Sequence, residues 1–300
     1  MQSARRPRFV PLAHGQRAGH SIHEMPQLRL LQPLASANLS RVQAVFTDVD
    51  GTLTSSNRLE GRTLRAIERL KQNDLRVVLV TGRPAGGGDC WLRTLPVDAV
   101  IAENGGVCLT RDRRGRFDKI YSEGTSERLR NRKRLLREVQ AALRQVPGAR
   151  LSTDSPCTEV NIAIDYNEEA KLGPTALRAL ESFLKRRGVT IARSSVHLNC
   201  WIGAFDKLTM VRRFIRECWG LRLAKPDPRF VYAGDSLNDA PMFGAFSLSV
   251  GVANVSDVLS ELDHRPSFIT RGREGRAFEQ LAAAIIAQRR MGSRPLRAAP

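Results

Sequence analysis

The chain has little from which to build cross-links, stacking platforms or membrane anchors. Its five cysteines (90, 108, 157, 200 and 218) are odd in number and form no C-x-x-C pair. That argues against a disulfide framework or a thiolate zinc site and for a reducing compartment, the cytoplasm being the expected location. Aromatics make up only 6% of the residues. Trp201, Phe205 and Trp219 read as core or domain-seam residues rather than as a stacking platform. No apolar run approaches the length of a membrane span, and the N-terminus lacks the apolar stretch of a secretory signal, so no membrane partner is expected. Acid is scarce: 30 Asp and Glu stand against 48 Lys and Arg, a net charge of +18. The first 40 residues and the last twelve supply nearly half of that excess. The basic remainder favours an anionic ligand without saying which.

What is present is organised. Residues 1–40 mix Pro, Gly, His, Ser and Arg without periodicity and read as a disordered basic extension. From 41 to 123 short apolar runs (VQAVFT, LRVVLV, VDAVIA) alternate with a helical pattern whose apolar positions are 59, 64, 67 and 70. VCLT and DKIY flank the turn-forming DRRGR and predict a hairpin. Residues 124–203 change character: a long basic amphipathic helix precedes strand, helix and two strands. The αβ alternation returns over 204–288, with helices expected near 255–262 and 274–288, and 289–300 reads as a basic tail. The pattern predicts an α/β fold, a doubly wound parallel sheet interrupted by an inserted α+β cap domain.

Ligands of such sheets bind beyond the carboxyl ends of the strands. Four polar clusters fall there or just before a helix. Asp48 and Asp50 follow VQAVF, Thr81-Gly82-Arg83 follows LRVVLV, Lys207 opens a helix, and Asp235, Asn238 and Asp239 follow FVYAG. Two carboxylates one residue apart repel each other unless a cation sits between them. A hard divalent ion such as Mg²⁺ takes carboxylate, water and phosphate oxygens, so Asp48, Asp50, Asp235 and Asp239 are the candidate metal ligands. Asp239 is also placed to orient Lys207. A carboxylate can attack phosphorus, and a second can protonate the leaving oxygen and later deprotonate water. Asp48 and Asp50 suit these two roles. Thr81, Gly82, Arg83, Lys207 and Asn238 are candidate contacts for the phosphate. Lys207 is one of only seven lysines, and its compact charge suits a crowded phosphate.

Taken together and in order, FTDVDGTLT, VTGRP, FDKLTMVRRF and AGDSLNDAPMF resemble the four signature motifs of the haloacid dehalogenase-like (HAD) hydrolase superfamily. The resemblance covers most of 41–270. It implies a nucleophilic Asp48, an acid/base Asp50, phosphate contacts from Thr81 and Lys207, acids at Asp235 and Asp239 that serve the metal site, and Mg²⁺ as cofactor. The second Asp of the first motif is that of the family's phosphatases and mutases rather than its dehalogenases. Only 33 positions separate Asp48 from Thr81, whereas 126 separate Thr81 from Lys207. The cap therefore falls in the second interval, which is similar to the type IIB, Cof-like branch, as is AENGG (102–106). The expected activity is hydrolysis of a small anionic phosphate monoester, such as a sugar phosphate. A phosphomutase of hexose phosphates is the nearest alternative. A nucleic-acid-binding protein using RLRNRKRLLR and the tails is the alternative from another class; a solvated helix face is the simpler account of that run.

Overall fold

The computed structural model describes residues 31–194 and 196–292. Most of the expected N-terminal extension and of the C-terminal tail lies outside these residues. Where they overlap, the structure corrects their limits.

In chain order the elements are β1 (Gln32–Pro33), β2 (Ala44–Thr47), α1 (Gly61–Gln72), β3 (Arg76–Val80), α2 (Ala85–Thr94), β4 (Ala99–Ala102), β5 (Val107–Arg111) and β6 (Phe117–Tyr121). Then come α3 (Thr125–Gln145), β7 (Arg150–Leu151), β8 (Ile162–Asp165), α4 (Pro174–Arg186), β9 (Thr190–Arg193) and β10 (His197–Trp201). The chain closes with α5 (Lys207–Trp219), β11 (Phe230–Gly234), α6 (Ala240–Ala245), β12 (Leu248–Gly251), β13 (Phe268–Ile269) and α7 (Glu274–Gly292). Residues 31–40, expected to be extension, are ordered instead. β1 pairs in parallel with β13, and Leu34, Ala37 and Leu39 are buried in the core. Likewise α7 runs on through residues assigned to the tail, and the helix expected near 255–262 is only a 3₁₀ turn at Ala253–Asp257.

Among the described residues the main sheet has the order β1-β13-β12-β11-β2-β3-β4-β5-β6. It is parallel except at the predicted hairpin, where β5 runs antiparallel to β4 and β6 antiparallel to β5. The period-2 alternation of strand side chains divides each central strand between two apolar layers. On β2, Val45 points into one layer and Ala44 and Phe46 into the other; on β3, Val77 and Leu79 oppose Val78 and Val80. α1 covers the first layer with Ala66, Ile67 and Leu70, and α5 covers the second with Met210, Val211 and Phe214. Fully burying a side chain such as Phe46 stabilises the fold by about 1.5–3 kcal/mol, so this two-sided core fixes the strand ends firmly. A second, antiparallel sheet, β7-β8-β10-β9, packs α3 and α4 around its own core of Leu135, Val139, Ile164, Leu180 and Leu198. It lies between β6 and α5 in the chain and leans over the carboxyl ends of the main sheet.

Candidate active site

β2 and β11 are neighbours in parallel register, with Phe46 opposite Tyr232 and Thr47 opposite Ala233. Asp48 therefore leaves its strand beside Gly234 and Asp235, its N–H bonding the Ala233 carbonyl at 2.8 Å. Lys207, at the first turn of α5, comes up between them. Its helix is started by Asp206, whose side chain accepts the Thr209 N–H in a reciprocal capping box. The fully buried Lys207 Nζ donates to Asp48 Oδ1 and to Asp239 Oδ1, each at 2.7 Å. Burial disfavours its charge, but the two carboxylates outweigh that and hold the ammonium protonated, its pKa above the usual lysine value.

Asp239 has further donors. Tyr232 Oη bonds the same Oδ1, and Oδ2 accepts the N–H groups of Asp235 (3.0 Å) and Ser236 (3.1 Å). Asp235 is set by Thr52 Oγ1 (3.0 Å) and Asn254 Nδ2 (2.9 Å). Asn254 Nδ2 also bonds the Gly51 carbonyl at 3.0 Å and so ties the Asp48 loop to the β11 loop. Gly51 has φ +79°, and a Cβ there would stand 2.4 Å from Asp235 Oδ2. Only glycine allows both the turn and the close approach.

Asp48, Asp235 and Asp239 are all buried, and one oxygen from each lies within 4.8 Å of the others. Lys207 offsets one of these three charges, leaving an excess that suits a divalent cation. Burial, with the neighbouring carboxylates, pushes the Asp235 carboxyl well up. Asp48 is raised to about 8, by burial first and by Asp239 and Asp50 in addition, against the pull of Lys207. A bound cation would reverse that penalty. The donor set of hard carboxylate oxygens fits Mg²⁺.

The structure places the other sequence candidates around this centre. Asp50 does not join the carboxylate cluster. Its carboxylate is gripped at both oxygens by Arg83, Nε to Oδ2 at 2.9 Å and Nη2 to Oδ1 at 3.0 Å; its side chain is thus not arranged as a metal ligand. Arg83 also reaches the cap, pairing with Glu168 (3.1 Å) and Asp154 (3.5 Å). Thr81 is buried at the end of β3, and its Oγ1 accepts the Arg83 N–H at 3.0 Å. Asn238 Oδ1 accepts Ser236 Oγ at 2.7 Å, and its Nδ2 donates to Asn104 Oδ1 at 3.3 Å. Asp48, Asp50, Gly82, Arg83 and Asn238 line one small enclosed cavity of about 10 Å³, closed from the cap side by His197 and Asn199. A cleft of about 450 Å³ along the cap–core seam reaches Lys207 and Asn238 from outside. Sequence reasoning missed Thr52, Tyr232 and Asn254 on the core and Asn161, Glu168, His197 and Asn199 on the cap. None stands in a motif that marks it out, except Thr52, which follows the Asp-Gly of DVDGT.

Comparison with known proteins agrees with this geometry. Residues 45–129 match the family model of haloacid dehalogenase-like hydrolases. A phosphoglycolate phosphatase of Methanosarcina mazei is 28% identical over 228 residues, which cover 74% of this chain and 88% of that protein. The solved structure of Thermoplasma acidophilum 0175 superposes with a TM-score of 0.62 at 20% identity, covering 82% of this chain and 98% of that one. The HAD subclass IIB sugar phosphatase BT4131 superposes with a TM-score of 0.54 at 18% identity, covering 84% and 99%. Over residues 45–129 the chain is thus similar to the haloacid dehalogenase-like hydrolases, over most of its length it is similar to curated phosphatases, and it shares its fold with solved capped phosphatases of that kind.

Proposed function

We propose that the protein is a Mg²⁺-dependent phosphomonoesterase that hydrolyses a small phosphate ester, a sugar phosphate or related compound, through an aspartyl-phosphate. One observation carries this reading: three buried carboxylates and a buried lysine meet at the ends of the neighbouring strands β2 and β11. Asp48, Asp235 and Asp239 would hold the cation, which supplies charge neutralisation for the phosphoryl group.

The residues divide the work as follows. Lys207 occupies Asp48 Oδ1 and leaves Oδ2 to form the bond to phosphorus as the ester P–O bond breaks. Asp50 protonates the departing oxygen, then takes a proton from the water that cleaves the acyl phosphate. Arg83 holds both Asp50 oxygens and so fixes where that carboxyl group points. Thr81, the Gly82 backbone, Lys207 and Asn238 hold the equatorial oxygens. The closed cap keeps bulk water from the intermediate.

The test is release of inorganic phosphate from a panel of esters, with and without Mg²⁺. Chelation with EDTA is expected to stop turnover, and Asp48→Asn to lower kcat by about 10³-fold or more with the fold intact. Full activity in either case overturns the reading, and an isomeric ester in place of free phosphate would assign a phosphomutase.

A further inference from the structure

The cap–core seam carries three features that the phosphoryl chemistry leaves unused. The first is Glu103, fully buried where β4 ends. Its carboxylate accepts four backbone N–H groups, one from the core and three from the cap. Oε1 takes Ala85 (2.9 Å) and Glu159 (2.8 Å), and Oε2 takes Val160 (2.6 Å) and Asn161 (2.8 Å). Glu103 and Asn104 have φ of 52° and 54°, a left-handed backbone that side-chain-bearing residues leave unless they are held there.

The second feature is the amide group that Glu103 sets in place. Asn161 donates to the Gly82 carbonyl (3.3 Å) and to Asn199 Oδ1 (3.5 Å). The amides of Asn199 and Asn104 fill the space over Gly82, where a Cβ would come within 3.0 and 3.1 Å of them. Yet Asn104 Nδ2 and Asn161 Oδ1 are buried without a hydrogen-bond partner. An orphaned donor and an orphaned acceptor at one seam are costly in a packed interior and mark a place where another group is meant to bond.

The third feature is charge. Arg83 is divided among Asp50, Glu168 and Asp154, His197 Nε2 is 2.8 Å from Glu168, and Lys207 is taken by Asp48 and Asp239. A leaving group carrying its own carboxylate would meet the carboxylates of Glu168 and Asp154, beside an Arg83 and a Lys207 that already have acidic partners.

We propose that Asn161 and Asn199 of the cap, with Asn104 of the core, read the leaving group as a neutral, hydroxyl-bearing fragment, and that Glu103 is the positioning residue holding the cap amides at the phosphoryl site. This rests on the phosphomonoesterase reading above. It sets the chain apart from the phosphoglycolate phosphatases it resembles, whose named substrate carries a carboxylate.

The experiment compares phosphate release from glucose 6-phosphate, 2-phosphoglycolate and p-nitrophenyl phosphate, whose leaving group has no hydroxyl beyond the scissile oxygen. For the unaltered chain, kcat/KM is expected to be at least about ten-fold higher for the sugar ester than for phosphoglycolate; the reverse order overturns the inference. Asn161→Ala and Asn199→Ala are each expected to lower kcat/KM for the sugar ester by about 10- to 100-fold, mainly through KM, and to leave p-nitrophenyl phosphate within about three-fold. Equal loss on both substrates, or loss on neither, overturns it. Glu103→Gln should give the same selective loss. The Asn161 variant keeps its backbone N–H on Glu103, so it tests recognition even where Glu103→Gln fails to fold. Hydrolysis of p-nitrophenyl phosphate with no discrimination between the other two leaves the phosphatase reading standing and overturns this one. Failure to release phosphate from all three refutes the phosphatase reading, and this inference with it.

Discussion

Gly51 shows how narrowly single residues are specified at this site. It turns the chain after Asp50 with a positive φ, and Asp235 Oδ2 occupies the space of its missing Cβ. Gly51→Ala is therefore expected to push Asp235 away from Asp48 and to raise the Mg²⁺ concentration needed for half-maximal activity by about ten-fold. A Mg²⁺ titration of phosphate release checks this; an unchanged midpoint contradicts the account. Residues of this kind were legible in the sequence. Asp48, Asp50, Lys207 and Asp235 stand where polar groups interrupt apolar runs, and that break is visible without coordinates. Asn254, Glu103 and Asn161 were not legible. Each acts on chain-distant partners, as Glu103 does on 159–161, and its own neighbourhood carries no trace of that contact. Asp50 was legible as a carboxylate but not as the partner of Arg83, because the bidentate pair depends on how two loops meet.

At the scale of the element, α5 joins stability to chemistry. Its first residue is Lys207, and the residue before it caps the helix. Asp206→Ala removes the acceptor for the Thr209 N–H and is expected to cost about 1 kcal/mol of stability. Because the same turn aims Lys207, kcat should fall as well. Thermal unfolding and phosphate release measured on the same variant separate the two losses; a stability loss with full kcat would show that the cap does not position the lysine. Helices and strands with clear periodicity, α1 and β3 among them, followed from the sequence. The short elements did not. β1 and β13 are two residues long, too short for any period. The helical pattern near 255–262 yields a 3₁₀ turn at Ala253–Asp257, although Val255, Val258, Leu259 and Leu262 all pack on the same apolar layer as α5.

Across the whole molecule, cap and core are joined by charge as well as by chain. Arg83 pairs with Glu168 and Asp154, and Arg193 lies 3.9 Å from Glu261. The loop that presents Glu168 is itself held by Asp165, whose carboxylate accepts the N–H groups of 168, 169 and 170 at 2.8–3.0 Å. Burial raises the Asp165 pKa, but these donors and His197 outweigh it and hold the carboxyl below its usual 3.8. A depressed carboxyl contributes stability that is present above the unfolded value and lost as pH falls through the folded one. The stability difference between the unaltered chain and Asp165→Asn is thus expected to be full at pH 7 and to shrink below about pH 4. Urea unfolding at the two pH values measures it, and a difference that stays constant refutes the assignment.

The pairing of β2 with β11 has one more consequence. The two acids that face each other across it are spaced by backbone hydrogen bonds, not by any contact of their own. Adding a single residue to either strand would slide that carboxylate about 3.3 Å and turn it toward the opposite face of the sheet. The apolar layers could repack around such a slip, because both faces are greasy; the ion's berth could not. Length, in these two strands, is as much a part of the catalyst as the acids themselves.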